Sequence, residues 1–356
     1  MMELKHMTMF LTTQCNLTCT YCFCGKKYNS SMKWNVAVGA VNFFEKNRDY
    51  KDNTITFFGG EPLIEKELLF RIADYVMENC PDIKMHVTTN GTLLSEGVYD
   101  ELKKRNINIL LSLDGYEENH DFYRKYTSGK GSWNTIIRNL NSLHIDVFPP
   151  IRMTVTVKNV EKLSSNVINL YNMGFKSIAF YIAYEDKWDE NKIYIYESEY
   201  RKIALFYEQC FENGQPIYID SIDKVIDSNI NNIINQCAIG NQCISVLPDG
   251  TFYPCHRIDF TKKPLNMGDV YNGVKKEACE FYRNILDLSD PECDECVLHT
   301  RCLQCPIQNK NITGGYHLVP EISCEVNRIH IVYGDKIAGD LYQSNNNMFL
   351  KKFYNS

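Results

Sequence analysis

Short apolar or β-branched runs recur at 7–12 (MTMFLT), 54–58 (TITFF), 84–89 (KMHVTT), 107–113 (INILLSL), 151–157 (IRMTVTV) and 177–183 (SIAFYIA). Stretches with helical spacing lie between and after them, at 34–47, 64–79, 95–105, 133–144, 161–173 and 197–212. This alternation predicts six β-α units, in which a parallel sheet carries helices on its outside, as a partial barrel or a doubly wound sheet. Gly59-Gly60, Asn90-Gly91 and Asp114-Gly115 come just after strands. In parallel α/β folds those strand ends are where sites are built.

The pattern breaks at Asn213-Gly214-Gln215-Pro216, and an Asn/Ile-rich stretch at 227–235 leads into a region of turns. From 237 to 324 long apolar runs are few, so this region is expected to draw folding free energy from metal sites. Residues 325–342 are expected to form a closing helix, and the Asn-rich tail after Gln343 to fray. The expected organisation is a core at 1–212, a bridging region at 213–236, an auxiliary domain at 237–342 and a tail at 343–356.

Composition narrows the function. With 44% hydrophobic residues and a net charge of −6, the 356-residue chain is too apolar to be disordered and has no basic stripe for nucleic acid. No apolar run approaches the roughly 18 residues of a membrane span, and Met1–His6 lacks the apolar core of a signal peptide. A cytoplasmic protein with neither nucleic-acid nor membrane partners is expected. The fifteen cysteines are the exception to an ordinary composition. Four lie between 15 and 24 and nine between 237 and 324, and clustered cysteines in a reducing compartment bind metal more often than they form disulfides.

Cys15, Cys19 and Cys22 are spaced C-x3-C-x2-C on the loop after the first strand. Three thiolates cannot close a tetrahedral zinc site, but they suit a cubane [4Fe–4S] cluster with one iron left open. The spacing, with Tyr21 before the last cysteine, resembles the radical S-adenosylmethionine (SAM) enzymes. Further motifs of that family recur in order. Gly59-Gly60-Glu61-Pro62 follows the second strand, Thr88-Thr89-Asn90-Gly91 the third and Ser112-Leu113-Asp114-Gly115 the fourth, with Asp121 and Arg124 as a downstream D-x2-R pair. The resemblance implies a partial (β/α)6 barrel in which the open iron takes the amino and carboxylate groups of SAM. It implies that Glu61 and the backbone of Gly59 and Gly60 hold the methionine ammonium. It makes Ser112, Asp114 and Asn90 candidates for the ribose hydroxyls, and Arg124 a candidate for the carboxylate and for a catalytic role. Tyr21 is expected near the adenine.

The second cluster reads Cys293-x2-Cys296-x5-Cys302-x2-Cys305, then Cys324, with Cys237, Cys243 and Cys255 upstream. It resembles the SPASM extension of radical SAM peptide modifiers, although Cys302 and Cys305 are two residues apart where that pattern has three. By resemblance, Cys237, Cys243, Cys255 and Cys305 hold a first auxiliary [4Fe–4S] cluster, and Cys293, Cys296, Cys302 and Cys324 a second. With the SAM-binding cluster this makes three. On spacing alone, zinc remains an alternative. Cys80, Cys210 and Cys279 read as ordinary thiols, and Cys24, two residues past the first loop, as a neighbour of the site.

The resemblance implies an enzyme that draws electrons from a low-potential flavodoxin- or ferredoxin-type donor. It would abstract hydrogen from a ribosomally made peptide or protein and install a thioether or carbon–carbon cross-link. The rival is anaerobic sulfatase maturation, which converts Cys or Ser to formylglycine. Those maturases carry a base-like Asp directly after the cysteine that corresponds to Cys255, where this chain has His256. His256 is a candidate proton acceptor or a donor to a cluster sulfur. A non-catalytic iron–sulfur carrier or a zinc scaffold would account for the cysteines but not for the ordered motifs. No separate peptide-recognition domain is expected before the first strand.

Overall fold

All six predicted strands form. The second to the sixth keep alternate positions for the core, whereas the first is buried on both faces from Met9 onward. The computed structural model describes residues 2–22, 29–231, 237–259, 262 and 264–354. The first elements are β1 (His6–Thr12), α1 (Trp34–Asn47), β2 (Thr54–Gly59), α2 (Lys66–Asn79), β3 (Lys84–Thr89), α3 (Glu96–Lys104), β4 (Ile107–Ser112), α4 (Glu117–Tyr123), α5 (Trp133–Ser142), β5 (Ile151–Val155), α6 (Leu163–Asn172), β6 (Ser177–Ile182) and α7 (Glu190–Glu212). Then come β7 (Tyr218–Ile219), α8 (Asp220–Ile230), β8 (Cys243–Val246), β9 (Thr251–Tyr253), β10 (Gly268–Asp269), β11 (Gly273–Val274), α9 (Lys276–Asn284), α10 (Pro291–Asp294), α11 (Pro306–Thr313), α12 (Glu321–Gln343) and α13 (Asn347–Phe353). Helix α7 begins earlier than its apolar spacing suggests, because Asp189 caps it by accepting from the Lys192 N–H at 2.8 Å.

The fold divides into two units, Met1–Ser112 with His120–Ile145 and Ala238–Asp287, and Leu113–Asn119 with Asp146–Cys237 and Leu288–Ser356. In the first, β1 to β4 run parallel, with Met7 opposite Ile55, Ile55 opposite Met85 and Met85 opposite Ile107. Those residues are buried, as are Met9, Phe57, Val87 and Ile109. The other face carries the partly exposed Thr8, Phe58, Thr88 and Ser112. Such alternation leaves one face of a parallel sheet free to line a site.

Four short strands in a region expected as metal-held loops extend this sheet. Strand β8 pairs parallel to the other edge of β1, and β9, β10 and β11 follow antiparallel. Ile244, Val246 and Phe252 supply the buried side chains, in runs too short to stand out between turn residues.

In the second unit β5, β6 and β7 are parallel, with Met153 opposite Phe180. Tyr196, Tyr200 and Tyr207 of α7 are fully buried, and His330 of α12 stacks on Tyr200 at 4.7 Å between ring centroids. Within the tail, Asn347–Phe353 form a helix where fraying was expected. Asn346 accepts from the Phe349 N–H at 3.0 Å to start α13, Phe349 and Phe353 are buried, and Lys352 pairs with Asp223. Its short apolar spacing is masked by the asparagines before it, one of which is the cap.

Candidate functional site

The cysteine loop begins where β1 ends. Thr12 turns the chain by accepting from the Gln14 N–H at 3.1 Å. The Thr12 and Gln14 carbonyls then accept from Gly60 N–H at 2.9 Å and Glu61 N–H at 2.8 Å. Backbone thus lies directly on backbone. A Cβ at Gly59, whose φ is +141°, would sit 2.3 Å from the Thr12 oxygen, and one at Gly60 would sit 2.0 Å from the Gln14 oxygen. No residue with a side chain fits either position. These two glycines seat the turn after β2 against the stem of the loop that carries Cys15, Cys19 and Cys22.

Glu61 closes this arrangement from beneath. Oε1 accepts from the Leu63 N–H at 3.0 Å and the Thr89 hydroxyl at 2.7 Å, and Oε2 from the Asn90 N–H at 2.7 Å. The carboxyl is 1% exposed, and burial pushes its pKa up to about 7 against the opposing pull of those hydrogen bonds. Asn90, held by its backbone, sends its side-chain amide to Asn16 Oδ1 at 2.9 Å and to Cys15 Sγ at 3.9 Å. Its own oxygen accepts from the Thr92 N–H at 3.0 Å and hydroxyl at 2.6 Å, and Asn16 donates to Thr92 Oγ1 at 2.7 Å. Asn16 and Thr92 were not singled out by motif. Their signal is position, next to Cys15 and within Thr88–Thr92.

The far side of the loop is pinned by residues around Arg124. Thr18 N–H donates to the Lys125 carbonyl at 2.7 Å, and Thr20 N–H to the Tyr123 carbonyl at 3.3 Å. The Tyr21 ring lies 5.3 Å from that of Tyr123, and the buried Arg124 guanidinium stands 5.3 Å over Tyr21. Asp121 accepts from the Trp133 N–H at 2.8 Å and so starts α5, a structural task. Ser112, at the end of β4, is half-buried. In the second unit Asp114 is fully buried and Oδ1 accepts from the Thr154 N–H at 3.0 Å, so this carboxylate supports β5.

Cys255 and His256 belong to the first unit as well. The His256 ring lies 5.4 Å from Phe58, which immediately precedes Gly59 and packs edge-on against Phe10 at 5.2 Å. In the antiparallel pair β8–β9, Ser245 faces Tyr253 and Val246 faces Phe252. Cys243 opens β8, and Cys255 lies two residues past the end of β9.

In the second unit, Cys293 lies in α10, Cys302 follows a short turn at His299–Arg301, and Cys324 occupies the first turn of α12. Burial raises the pKa values of Cys293, Cys302 and Cys324, Cys302 to about 11. Beyond burial, Cys302 is raised by Cys296, Cys324 and Cys293, Cys293 by Asp290, Cys324 and Cys296, and Cys324 by Glu325 and Cys296. These are the thiols assigned to the second auxiliary cluster. Among the described residues no three His, Cys, Asp or Glu side chains converge on a point that one metal ion would fill. A zinc ion about 2.3 Å from sulfur draws its thiolates to within about 3.8 Å of one another, whereas a cubane fills the middle of its ligand set and holds the sulfurs apart. Four cysteine thiols are the donor set that a [4Fe–4S] cluster takes.

Cys305 precedes α11, and Cys237 is half-buried. Cys80, Cys210 and Cys279 are buried, with the Cys80 pKa pushed up to about 12 by burial and then by Glu45, as befits packing thiols. Cys24 lies outside the described residues.

The family model for the Radical SAM superfamily matches residues 9–178. An uncharacterized protein of Methanocaldococcus jannaschii is 31% identical over 224 residues, 62% of this chain and 76% of that protein. A cysteine-type anaerobic sulfatase-maturating enzyme of Clostridium novyi is 23% identical over 334 residues, 84% of this chain and 87% of that enzyme. Two solved structures share the fold. The structure of anSMEcpe with bound AdoMet and Cp18Cys peptide has a TM-score of 0.81 at 21% identity, covering 96% of this chain and 99% of that one. Streptococcus suis SuiB bound to precursor peptide SuiA has a TM-score of 0.64 at 13% identity, covering 91% and 76%.

Proposed function

The chain belongs to the radical SAM superfamily, and we propose that it is a peptide-modifying enzyme that installs a thioether or carbon–carbon cross-link in a ribosomally made substrate. The observation that carries this reading is the seating of Gly59-Gly60-Glu61 on the stem of the Cys15–Cys22 loop, with the Asn90 amide 3.9 Å from Cys15 Sγ. When bound, a [4Fe–4S] cluster and SAM supply a 5′-deoxyadenosyl radical able to take hydrogen from an unactivated carbon.

Cys15, Cys19 and Cys22 would hold that cluster by three corners. The methionine end of SAM would meet the turn at Gly59–Gly60. Glu61, already engaged by Leu63, Thr89 and Asn90, acts on it by fixing that turn and Asn90. Arg124 and Tyr21, stacked at 5.3 Å, bring a cation and an aromatic face to the same loop. Ser112, Asp114 and Asn90 are the candidates for the ribose, and Asp114 also accepts from the Thr154 N–H. Cys237, Cys243, Cys255 and Cys305 would carry the first auxiliary cluster and Cys293, Cys296, Cys302 and Cys324 the second. A low-potential flavodoxin or ferredoxin would deliver the electrons.

Sulfatase maturation is the second reading, favoured by the whole-length likeness to anSMEcpe. Against it stands the imidazole at His256, where those maturases carry a carboxylate. Mass spectrometry of a candidate precursor peptide after anaerobic turnover separates the two. A cross-link removes two hydrogens and keeps the sulfur; formylglycine from Cys exchanges sulfur for oxygen. The expected product keeps its sulfur, and sulfur loss on a sulfatase-type peptide would establish the maturase instead. His256→Ala should slow cross-linking more than SAM cleavage. His256→Phe, which restores a ring against Phe58, should not rescue it.

A further inference from the structure

The cysteine quartet of the second unit has an unspent hydrogen-bond donor beside it. Arg301 immediately precedes Cys302, and its guanidinium forks onto Asp335, with Nη1 to Oδ2 at 2.7 Å and Nη2 to Oδ1 at 2.6 Å. This leaves Nε–H, which is buried and has no acceptor. A buried N–H without a partner is costly enough to be rare in native proteins. Cys302 is the cysteine nearest to Arg301 in sequence. A second donor stands on the same group, since Gln304 Nε2 lies 3.4 Å from Cys293 Sγ. Both donors ride on the loop between Cys296 and Cys305, and that loop is tied to α12 twice. Arg301 is held by Asp335, and Leu303 exchanges bonds with Asn327, its N–H reaching Oδ1 at 3.0 Å and its carbonyl taking Nδ2 at 3.3 Å. The opposite flank is open, because Cys296 and Cys324 are exposed.

We propose that Arg301 Nε–H and Gln304 Nε2–H are donors to the sulfurs of the second auxiliary cluster and raise its reduction potential, with Asp335 and Asn327 as positioning residues. The inference rests on the reading of Cys293, Cys296, Cys302 and Cys324 as that cluster's ligands. Reduction adds negative charge to the cluster, and donors and cations beside its sulfurs stabilise the reduced state more than the oxidised one. The fork onto Asp335 is what keeps a long, rotamer-rich side chain aimed in one direction.

The test is a redox titration followed by electron paramagnetic resonance on the full chain, reconstituted with iron and sulfide under anoxic conditions. The signal of this cluster is the one missing from Cys296→Ala. In Arg301→Lys, which keeps a charge but loses Nε–H, and in Gln304→Leu, that signal should shift to more negative potential while the other clusters titrate as before. Pulsed resonance on protein carrying ¹⁵N-arginine should show a coupled nitrogen that disappears in Arg301→Lys. If iron is bound yet neither variant moves the midpoint, the proposal is wrong. If Cys296→Ala removes no iron, the ligand reading itself fails and takes the proposal with it. Gln304→Leu leaves the Arg301–Asp335 pair intact, so the measurement survives should Arg301→Lys assemble poorly.

Discussion

Glu61 Oε2 accepts the backbone N–H of Asn90 at 2.7 Å, and this bond joins the turn after β2 to the turn after β3. The consequence reaches the cysteine loop, because the same Asn90 touches Asn16 and Cys15 with its side chain. A carboxyl with three donors is usually a strong acid. Here burial outweighs them and lifts it to about 7 from an ordinary value of 4.5. The native state therefore holds a proton that the unfolded state has released between those two values, and stability falls as pH rises through that window. Chemical denaturation of the apoprotein across pH 4.5 to 7 should display this slope, and Glu61→Gln should flatten its contribution.

Gly60→Ala places a methyl group where the Gln14 carbonyl now lies, 2.0 Å away. The loop stem must move, and the first cluster with it. The expected result is loss of SAM cleavage with the auxiliary iron retained. Wild-type rates of 5′-deoxyadenosine formation in Gly60→Ala would contradict the close packing described.

Replacing Cys15, Cys19 and Cys22 together by Ala should abolish SAM cleavage under dithionite and remove the iron of one cluster only. Iron analysis alongside product analysis checks both halves. Continued cleavage would remove these thiols from the site.

His330 is half-buried and hydrogen-bonded to the Tyr196 hydroxyl at 2.7 Å, and its pKa is lowered by desolvation from 6.5 to about 3. The unfolded chain takes up a proton here that the native chain refuses. Stability is thus complete above pH 6.5 and is lost as pH falls toward 3. His330→Phe keeps a ring on Tyr200 and should shift acid unfolding to lower pH, at the expense of the Tyr196 bond near neutrality. An unchanged acid midpoint would exclude His330 from the transition.

Phe349 of α13 is fully buried. Phe349→Ala should cost about 3–5 kcal/mol in denaturant unfolding, the range for deleting a large buried aromatic. A loss under 1 kcal/mol would mean that the tail packs only loosely.

The strands and the order of motifs were legible in the sequence because both are local. A strand declares itself by alternation over a few residues, and the motifs sit at strand ends because a parallel sheet collects those ends on one side. The cysteine spacings were legible for the same reason, since a loop between neighbouring cysteines reaches only a short way. What the side chains of Glu61 and Asp114 do was not. Their partners Asn90 and Thr154 lie a strand away and leave no mark nearby in the sequence. The strands β8 to β11 were hidden because they are short and stable only on the open edge of β1. The bare Nε of Arg301 appeared only when Asp335, far along the chain, took the other two nitrogens of its fork. Local pattern determined which elements form and which atoms have metal-binding chemistry. Tertiary packing decided which polar groups are already satisfied, and therefore which are left to act.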